Sequence, residues 1–193
     1  METNPETHRH AEPAESSEWV TRFAPLAPAG GCVLDLACGG GRHGRLFHER
    51  GHPIVLTDRD VTAVRDLDGL DGVEIIEADL ETPSGWPFGQ RRFAAIVVTN
   101  YLWRPLLPIL PHALTDGGVL IYETFGLGNE AYSRPRNPDH LLRPGELLSA
   151  FATHLQVVAY ENGIRRDPRP RVVQRIAAVK GSDPVSLFPA DGP

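Results

Sequence analysis

The stretch VLDLACGGGRHG, residues 33–44, contains the residues whose types and spacing are best suited to chemistry. Gly39, Gly41 and Gly44 form a G-x-G-x-x-G pattern directly after an apolar run. Between a strand and a helix this pattern is typical of dinucleotide binding, because the amides at a helix start attract a pyrophosphate. Asp35 interrupts the apolar run just before the turn. A carboxylate at this position would repel the phosphates of a dinucleotide. The glycine pattern alone therefore does not decide which kind of ligand binds.

Four further apolar runs follow at regular intervals, and each ends in a polar residue. The polar residues of the five runs lie 21 to 23 positions apart and are Asp35, Asp58, Asp79, Asn100 and Glu123. This interval fits one strand plus a crossover connection, which is the unit of a parallel sheet. Open parallel sheets bind ligands at the carboxyl ends of their strands. We therefore expect these side chains to converge on one cleft.

The predicted cleft is acidic, which favours one class of adenosine compound over another. S-adenosylmethionine (SAM) has no phosphate; it carries a sulfonium, an ammonium and a ribose diol, and carboxylates bind all three. A nicotinamide oxidoreductase remains the literal interpretation of G-x-G-x-x-G, but Asp35 and the acidic strand ends oppose it. The charge pattern therefore favours SAM over a dinucleotide as the cofactor.

Residues 35–41, D-L-A-C-G-G-G, resemble the D-x-(G/A)-x-G-x-G signature of class I SAM-dependent methyltransferases. The resemblance extends over about residues 16–180, and LDLACGGGRHGRLFHERGH is similar to the small bacterial tellurite-resistance-type and other small-molecule methyltransferases. It implies an α/β, Rossmann-like fold with a seven-stranded, mostly parallel sheet and helices on both faces. It also implies an antiparallel last strand inserted between the fifth and sixth; residues 155–163 and 171–180 are suited to be the last two strands.

The same resemblance implies which residues contact the cofactor. They are Asp35, Ala37, Gly39, Gly41, Asp58, Arg59, Asp79, Leu80 and Asn100. By this resemblance Asp35 approaches the methionine amino group, and Asp58 accepts from both ribose hydroxyls. Asp79 and Leu80 meet the adenine, and Asn100 lines the methyl-transfer site. Ala37 stands where many members have glycine.

Catalytic residues are harder to predict from this sequence, because methyl transfer is a displacement at an already activated carbon. A general base is needed only when the nucleophile carries a proton. The candidates for catalysis are Tyr101, Tyr122, Glu123 and His140. The segment TNYLWRPLLP, residues 99–108, lacks the N-P-P-Y or D-P-P-Y pattern expected of enzymes that methylate amino groups of adenine or glutamine. This counts against a nucleobase amine as the acceptor.

The segment 123–147 is too long for a simple connection and is predicted to be a lid or binding loop. The predicted substrate-binding residues are aromatic or cationic: Trp19, Trp103, Tyr132, Arg134 and Arg136. Arginines bind carboxylates and oxyanions, so a small, anionic acceptor is favoured. A second arginine group at residues 165–175 keeps an RNA methyltransferase as one alternative. A regulatory protein of the same fold that binds the cofactor without catalysis is another.

Composition bounds the remaining possibilities. The chain has 193 residues, 41% of them hydrophobic, which suits one domain at residues 16–180 between a disordered tail at 1–15 and a C-terminal tail at 181–193. The formal net charge of -6 argues against nonspecific coating of nucleic acid. No apolar run is long enough for a membrane span, which predicts a cytoplasmic protein. No metal site is predicted, because His8 and His10 have no further ligands nearby.

Overall fold

A computed structural model describes residues 15–82 and 85–186, and its centre is one seven-stranded sheet. The strands are β1 Val33–Leu36, β2 Ile54–Asp58, β3 Val73–Glu77, β4 Phe93–Thr99, β5 Leu114–Phe125, β6 Gln156–Arg165 and β7 Arg171–Val179. Their order is β3-β2-β1-β4-β5-β7-β6. Strand β7 is antiparallel to both β5 and β6, and the other pairs are parallel. The predicted fold class and the inserted antiparallel last strand are confirmed.

The strand sequences explain which parts of the sheet are interior. Strand β1 and nearly all of β4 are buried on both faces, which is why they are continuous apolar runs rather than alternating ones. Strand β3 lies at one edge and is half-exposed. The carboxyl ends of the interior strands β2, β4 and β5 and of the edge strand β3 all contribute residues to the site described below.

Three α-helices cover the sheet in the described part of the chain. They are α1 Glu18–Phe23, α2 Arg42–Glu49 and α3 Glu146–Phe151. Ser17 caps α1 by accepting from the Trp19 N–H, which satisfies one of the amides at the start of the helix. Several other connections are 3₁₀ turns rather than α-helices, at Ala24–Leu26, Thr62–Leu67, Arg104–Leu106, Asn129–Ala131 and Pro138–His140. The connection after β4 contains prolines 105, 108 and 111, which cannot continue an α-helix.

Two apolar layers lie on opposite faces of the sheet. One packs α1 and α2 against side chains such as Val33 and Val97, and the other packs α3 against side chains such as Ile96 and Tyr122. Residues alternate between the layers along each strand, so neighbouring residues at the end of one strand face opposite sides of the sheet. That alternation decides which strand-end side chains enter the cleft described below.

The predicted tails at 1–15 and 181–193, including His8 and His10, lie mostly outside the described residues. No helix within residues 15–82 and 85–186 is long and apolar enough to cross a membrane. Cys32 and Cys38 lie on either side of strand β1, and both are free thiols.

Candidate functional site

The turn between β1 and α2 has an unusual backbone. Gly39 and Gly41 have φ angles of 52° and 69°, in the left-handed region that glycine tolerates. Ala37 also adopts φ 56°, which is strained for a residue with a Cβ. This explains why glycine is common at that position in the family it resembles. The turn brings backbone close to the space above β1 and then starts α2 at Gly41.

Helix α2 packs very closely on β2, and Gly44 makes this possible. A Cβ added at Gly44 would collide with the side chain of Leu56, and one at Gly41 would come within 2.6 Å of Val64. Gly39 and Gly40 differ, because an added Cβ there would meet no protein atom within 4 Å. Their missing side chains leave open space above the turn, which suits a ligand that passes over the backbone.

Asp35 lies beneath the turn, only 1% exposed. The Gly44 N–H donates to its Oδ2 at 2.8 Å. Burial raises the pKa of the Asp35 carboxyl to about 7, against a weaker lowering by the Gly44 hydrogen bond and by Arg42. Asp35 is therefore poised between its neutral and ionised forms, and a cation placed nearby favours ionisation.

Asp58 closes the end of β2 and is tied to the glycine turn. The Gly39 N–H donates to Oδ2 of Asp58 at 2.8 Å, and the Asp60 N–H donates to Oδ1 at 3.3 Å. Each carboxylate oxygen has a second lone pair, so both can still accept from a neighbouring diol. The carboxylate is thus held in one orientation at the rim of the cleft.

The strand ends surround a cleft of about 560 Å³, within the usual size range for small-ligand sites. Its lining includes Ala37, Asp58, Arg59, Asp79, Leu80, Asn100, Tyr101, Thr124, Pro135 and His140. A second cavity of about 430 Å³ shares several of these residues and extends over Gly39, Gly40, Arg42 and Thr99. We call the two together the cofactor cleft. The structure brings all the predicted cofactor-binding residues to it except Asp35 and Gly41, which are buried beneath the turn.

Two tyrosines proposed for catalysis occupy different positions. Tyr101 lines the cleft, and its buried hydroxyl has no hydrogen-bond partner among the described residues. Burial, with the negative charges of Glu81 and Asp79, raises the pKa of Tyr101 above its usual range. It therefore offers a protonated donor to a ligand. Tyr122 is 2% exposed and donates to the Tyr101 carbonyl at 2.9 Å, so it supports Tyr101 instead of lining the cleft.

Glu123 and Trp19 lie together on the α1 side of the sheet. Arg175 donates to Glu123 at 3.2 Å, and Ser17 donates to the same carboxylate at 3.1 Å. Trp19 is 2% exposed, donates its indole N–H to the Ile176 carbonyl, and lies under the Arg175 guanidinium. Because β5 alternates its faces, Glu123 points away from the cleft that Thr124 lines. The structure thus places both residues in the core and not with the predicted site.

The remaining substrate candidates are spread over the loop and its surroundings. His140 lines the cleft, whereas Arg134 and Arg136 are exposed on either side of the lining residue Pro135. Trp103 lines an adjoining cavity that contacts Leu80 and Glu81. Tyr132 belongs to a separate pocket on the other side of the loop.

Arg104, which was not among the predicted site residues, fixes the loop near His140. Its guanidinium donates to the carbonyls of Asp139 and Leu141 at 2.7 and 2.9 Å and to Glu146 at 2.7 Å. These bonds hold the backbone on both sides of His140. The only sequence feature that could have indicated a role for Arg104 is its position in the segment that follows β4.

His43 is the other residue that was missed, although it lies within the glycine motif. It is 1% exposed, accepts from the Ser17 N–H at Nε2, and faces the Thr99 hydroxyl across 3.4 Å from Nδ1. Since Nε2 accepts, Nδ1 carries the hydrogen. Burial lowers the pKa of His43 to about 3, so it stays neutral and joins the start of α1 to the end of β4.

The structure is similar to solved methyltransferases. TehB from Haemophilus influenzae gives a TM-score of 0.68 at 15% identity, with 84% of this chain and 61% of that chain covered. A SAM-dependent methyltransferase from Mesorhizobium loti gives 0.65 at 17% identity, covering 83% and 96%. The 1,6-didemethyltoxoflavin-N1-methyltransferase from Burkholderia thailandensis, solved with 1,6-didemethyltoxoflavin and S-adenosylhomocysteine, gives 0.59 at 17% identity, covering 85% and 76%. No family model and no curated protein matches the sequence.

At these identities the similarity speaks for the fold, and this chain spans 61% of the length of the TehB chain that it matches. The strand order, with β7 inserted antiparallel between β5 and β6, agrees with the order that the sequence resemblance implies. The chain therefore has the fold of the class I SAM-dependent methyltransferases.

Proposed function

We propose that the protein is a SAM-dependent methyltransferase that acts on a small acceptor molecule, with residues 16–180 as its catalytic domain. One observation carries the proposal: a strained glycine turn and the acidic ends of successive strands surround a single cleft. The Asp58 carboxylate, which accepts from the Gly39 N–H, puts a negative charge beside the glycine turn, where a dinucleotide would place its pyrophosphate. That charge suits the sulfonium and ammonium of SAM.

The residues of the cleft fit the parts of the cofactor one by one. Asp58 is oriented to accept from the ribose diol, and Asp79 with Leu80 provides a polar and an apolar contact for the adenine. The open space above Gly39 and Gly40 receives the methionine part, near buried Asp35. When bound, SAM supplies an activated methyl group, so the protein has mainly to position the acceptor.

The acceptor is proposed to approach from the side of Asn100, Tyr101 and His140. These residues line the cleft at the ends of β4 and the loop, and Arg104 holds the backbone around His140. His140 is exposed and is our candidate to take a proton from an acceptor that carries one. The Tyr101 hydroxyl, which lacks a partner in the described structure, is our candidate to donate to the acceptor or cofactor.

Two features support a small acceptor with an anionic group. Arg134 and Arg136 flank Pro135 at the mouth of the cleft and form no hydrogen bond or ion pair through their side chains within the described residues. The didemethyltoxoflavin methyltransferase with the same fold acts on a small molecule. The acceptor of this protein is therefore sought first among small carboxylates and oxyanions.

The test begins with the cofactor. Calorimetric titration of the full chain with SAM, S-adenosylhomocysteine (SAH) and NADH is expected to show micromolar binding of the first two and none of NADH. Binding of NADH alone would overturn the proposal. A protein that binds SAH is then screened with small anions and with RNA, using SAH release as the readout. His140→Ala should lower kcat and leave the SAH affinity unchanged, with His112→Ala as the matched control on a distant surface.

A further inference from the structure

A second cavity lies outside the cofactor cleft, between the loop after β5 and the turn that joins β6 to β7. We call it the lateral pocket; its volume is about 580 Å³, and its lining is Phe125, Ala131, Tyr132, Ser133, Pro168, Arg169, Pro170 and Arg171. None of these residues lines the cofactor cleft. The proposed methyl transfer therefore leaves this pocket without a role.

The lateral pocket is cationic. Arg169 and Arg171 line it, and neither guanidinium forms a hydrogen bond or an ion pair with any residue in the described ranges; Glu18, which is bound to Arg165, attracts Arg171 only from a longer distance. Arg165, on the same hairpin, is by contrast paired with Glu18 at 2.7 Å. The turn between β6 and β7 carries one carboxylate, Asp167, which does not line the pocket. The N–H donors of both guanidiniums are thus available to bind an anion in forked geometry.

The rest of the lining is flat and apolar. Tyr132 is 46% exposed, a large fraction for a bulky ring, and Phe125 contributes a second aromatic ring. Pro168 and Pro170 form a wall with fixed backbone geometry. Aromatic and proline surfaces bind planar groups, and the ring hydroxyl and guanidiniums fix their orientation.

We propose that the lateral pocket is a second binding site, for a small planar ligand that carries a carboxylate or phosphate group. The planar part stacks on Tyr132, and the anionic group pairs with Arg169 and Arg171. The volume is that of a small-molecule site, within the usual range of about 300 to 1,000 Å³. With only two free arginines in the pocket and a formal net charge of -6, a small ligand fits better than an RNA strand.

The lateral pocket and the cofactor cleft are lined by neighbouring residues of the same loop. Ser133 lines the lateral pocket and Pro135, two residues later, lines the cleft. A ligand on one side therefore contacts the same loop segment as a ligand on the other. If the two sites bias that segment, each ligand changes the affinity of the other by the same factor.

The probe for this proposal is 2-naphthoate, with the neutral 2-naphthamide as its isosteric counterpart. Binding to the full chain is measured by calorimetry or ligand-detected NMR, with and without saturating SAH. For a ligand of this size we expect a dissociation constant on the order of 1 mM. Naphthoate should bind at least about fivefold more tightly than naphthamide, because only the anion uses both guanidiniums.

Single substitutions then test whether naphthoate binds in the lateral pocket. Arg169→Ala, Arg171→Ala and Tyr132→Ala should each weaken naphthoate binding by about fivefold or more. Arg166→Ala removes the same charge from the same turn but outside the pocket, and it should change the affinity less than about twofold. Circular dichroism and the melting temperature verify that each variant is folded.

Four results would overturn the proposal. The first is that naphthoate does not bind. The second is that its affinity falls equally in Arg166→Ala, which would indicate diffuse attraction by charge. The third is that SAH displaces it competitively, which would place it in the cofactor cleft. Hexauridylate binding that is tighter than that of naphthoate and depends on Arg169 and Arg171 would assign the pocket to RNA. Each of these four results can be measured whether or not the protein has methyltransferase activity.

Discussion

Asp58 is the residue whose replacement tests the proposed cofactor site most directly. Its carboxylate accepts from the Gly39 N–H at 2.8 Å and from the Asp60 N–H at 3.3 Å, so its orientation is set before any ligand arrives. In the proposed complex it also accepts from both ribose hydroxyls. Asp58→Ala removes this charged acceptor and leaves the diol unpaired in a partly buried cleft.

The loss expected from the Asp58→Ala replacement is about 1 to 3 kcal/mol in SAH affinity. Since about 1.4 kcal/mol corresponds to a tenfold change, the dissociation constant should rise by roughly 5- to 150-fold. Calorimetric titration with SAH measures this change directly. The 2′-deoxy form of SAH provides the second half of a thermodynamic cycle, and the replacement should reduce its affinity by a smaller factor, because only one of the two ribose contacts remains to be lost.

Asp60→Ala is the matched control, because it removes a carboxylate two positions away that does not line the cleft. It should leave the SAH affinity within about twofold of the unchanged protein. The reasoning is refuted if Asp58→Ala binds SAH as tightly as the unchanged protein. It is also refuted if Asp60→Ala and Asp58→Ala lose the same amount, since the effect would then come from net charge.

Three further predictions follow from the same site. Gly44→Ala should destabilise the fold by about 1 to 3 kcal/mol in urea unfolding, because the added Cβ collides with a β2 side chain. Gly40→Ala should leave the stability nearly unchanged. Equal urea midpoints for the two variants would contradict the close packing of α2 on β2. SAH affinity should rise about tenfold between about pH 6 and pH 8, because the pKa of Asp35 is about 7 and only the ionised carboxyl attracts the ligand ammonium. The Asp35→Asn variant should bind SAH more weakly and with little pH dependence. A flat pH profile for the unchanged protein would refute this role of Asp35. Arg134→Ala with Arg136→Ala should leave SAH affinity unchanged and raise KM for an anionic acceptor once one is found; loss of SAH binding would instead assign the arginines to the cofactor.

Much of the fold could be predicted because the signals lie within short segments. Each apolar run with its polar end predicted one strand, and all five are present at β1 to β5. The hairpin β6–β7 was predicted from two β-rich runs and a turn between them. Its insertion beside β5 came from the family resemblance, since spacing along the chain does not say which strands pair.

The candidate site was less evenly predicted. Residues in the motif and at strand ends, such as Asp58 and Asn100, could be named because the carboxyl ends of parallel strands meet at one edge. Glu123 satisfied the same rule and nevertheless faces Arg175 in the core. Side chains at the end of a strand point to one face of the sheet or to the other. The sequence alone does not show which face the last residue points to, because that depends on the register with the neighbouring strands.

Sequence alone determined that this chain builds a mostly parallel sheet with an acidic edge above a glycine turn, because those features depend on residue type and spacing over short distances. Only the tertiary structure decided which side chains share the cleft, because packing across the sheet sets their directions. It buried Trp19 under Arg175, brought His140 to the cleft through Arg104, and left the lateral pocket with two unpaired guanidiniums in the described structure. These contacts join residues far apart in the chain, and no local pattern records them.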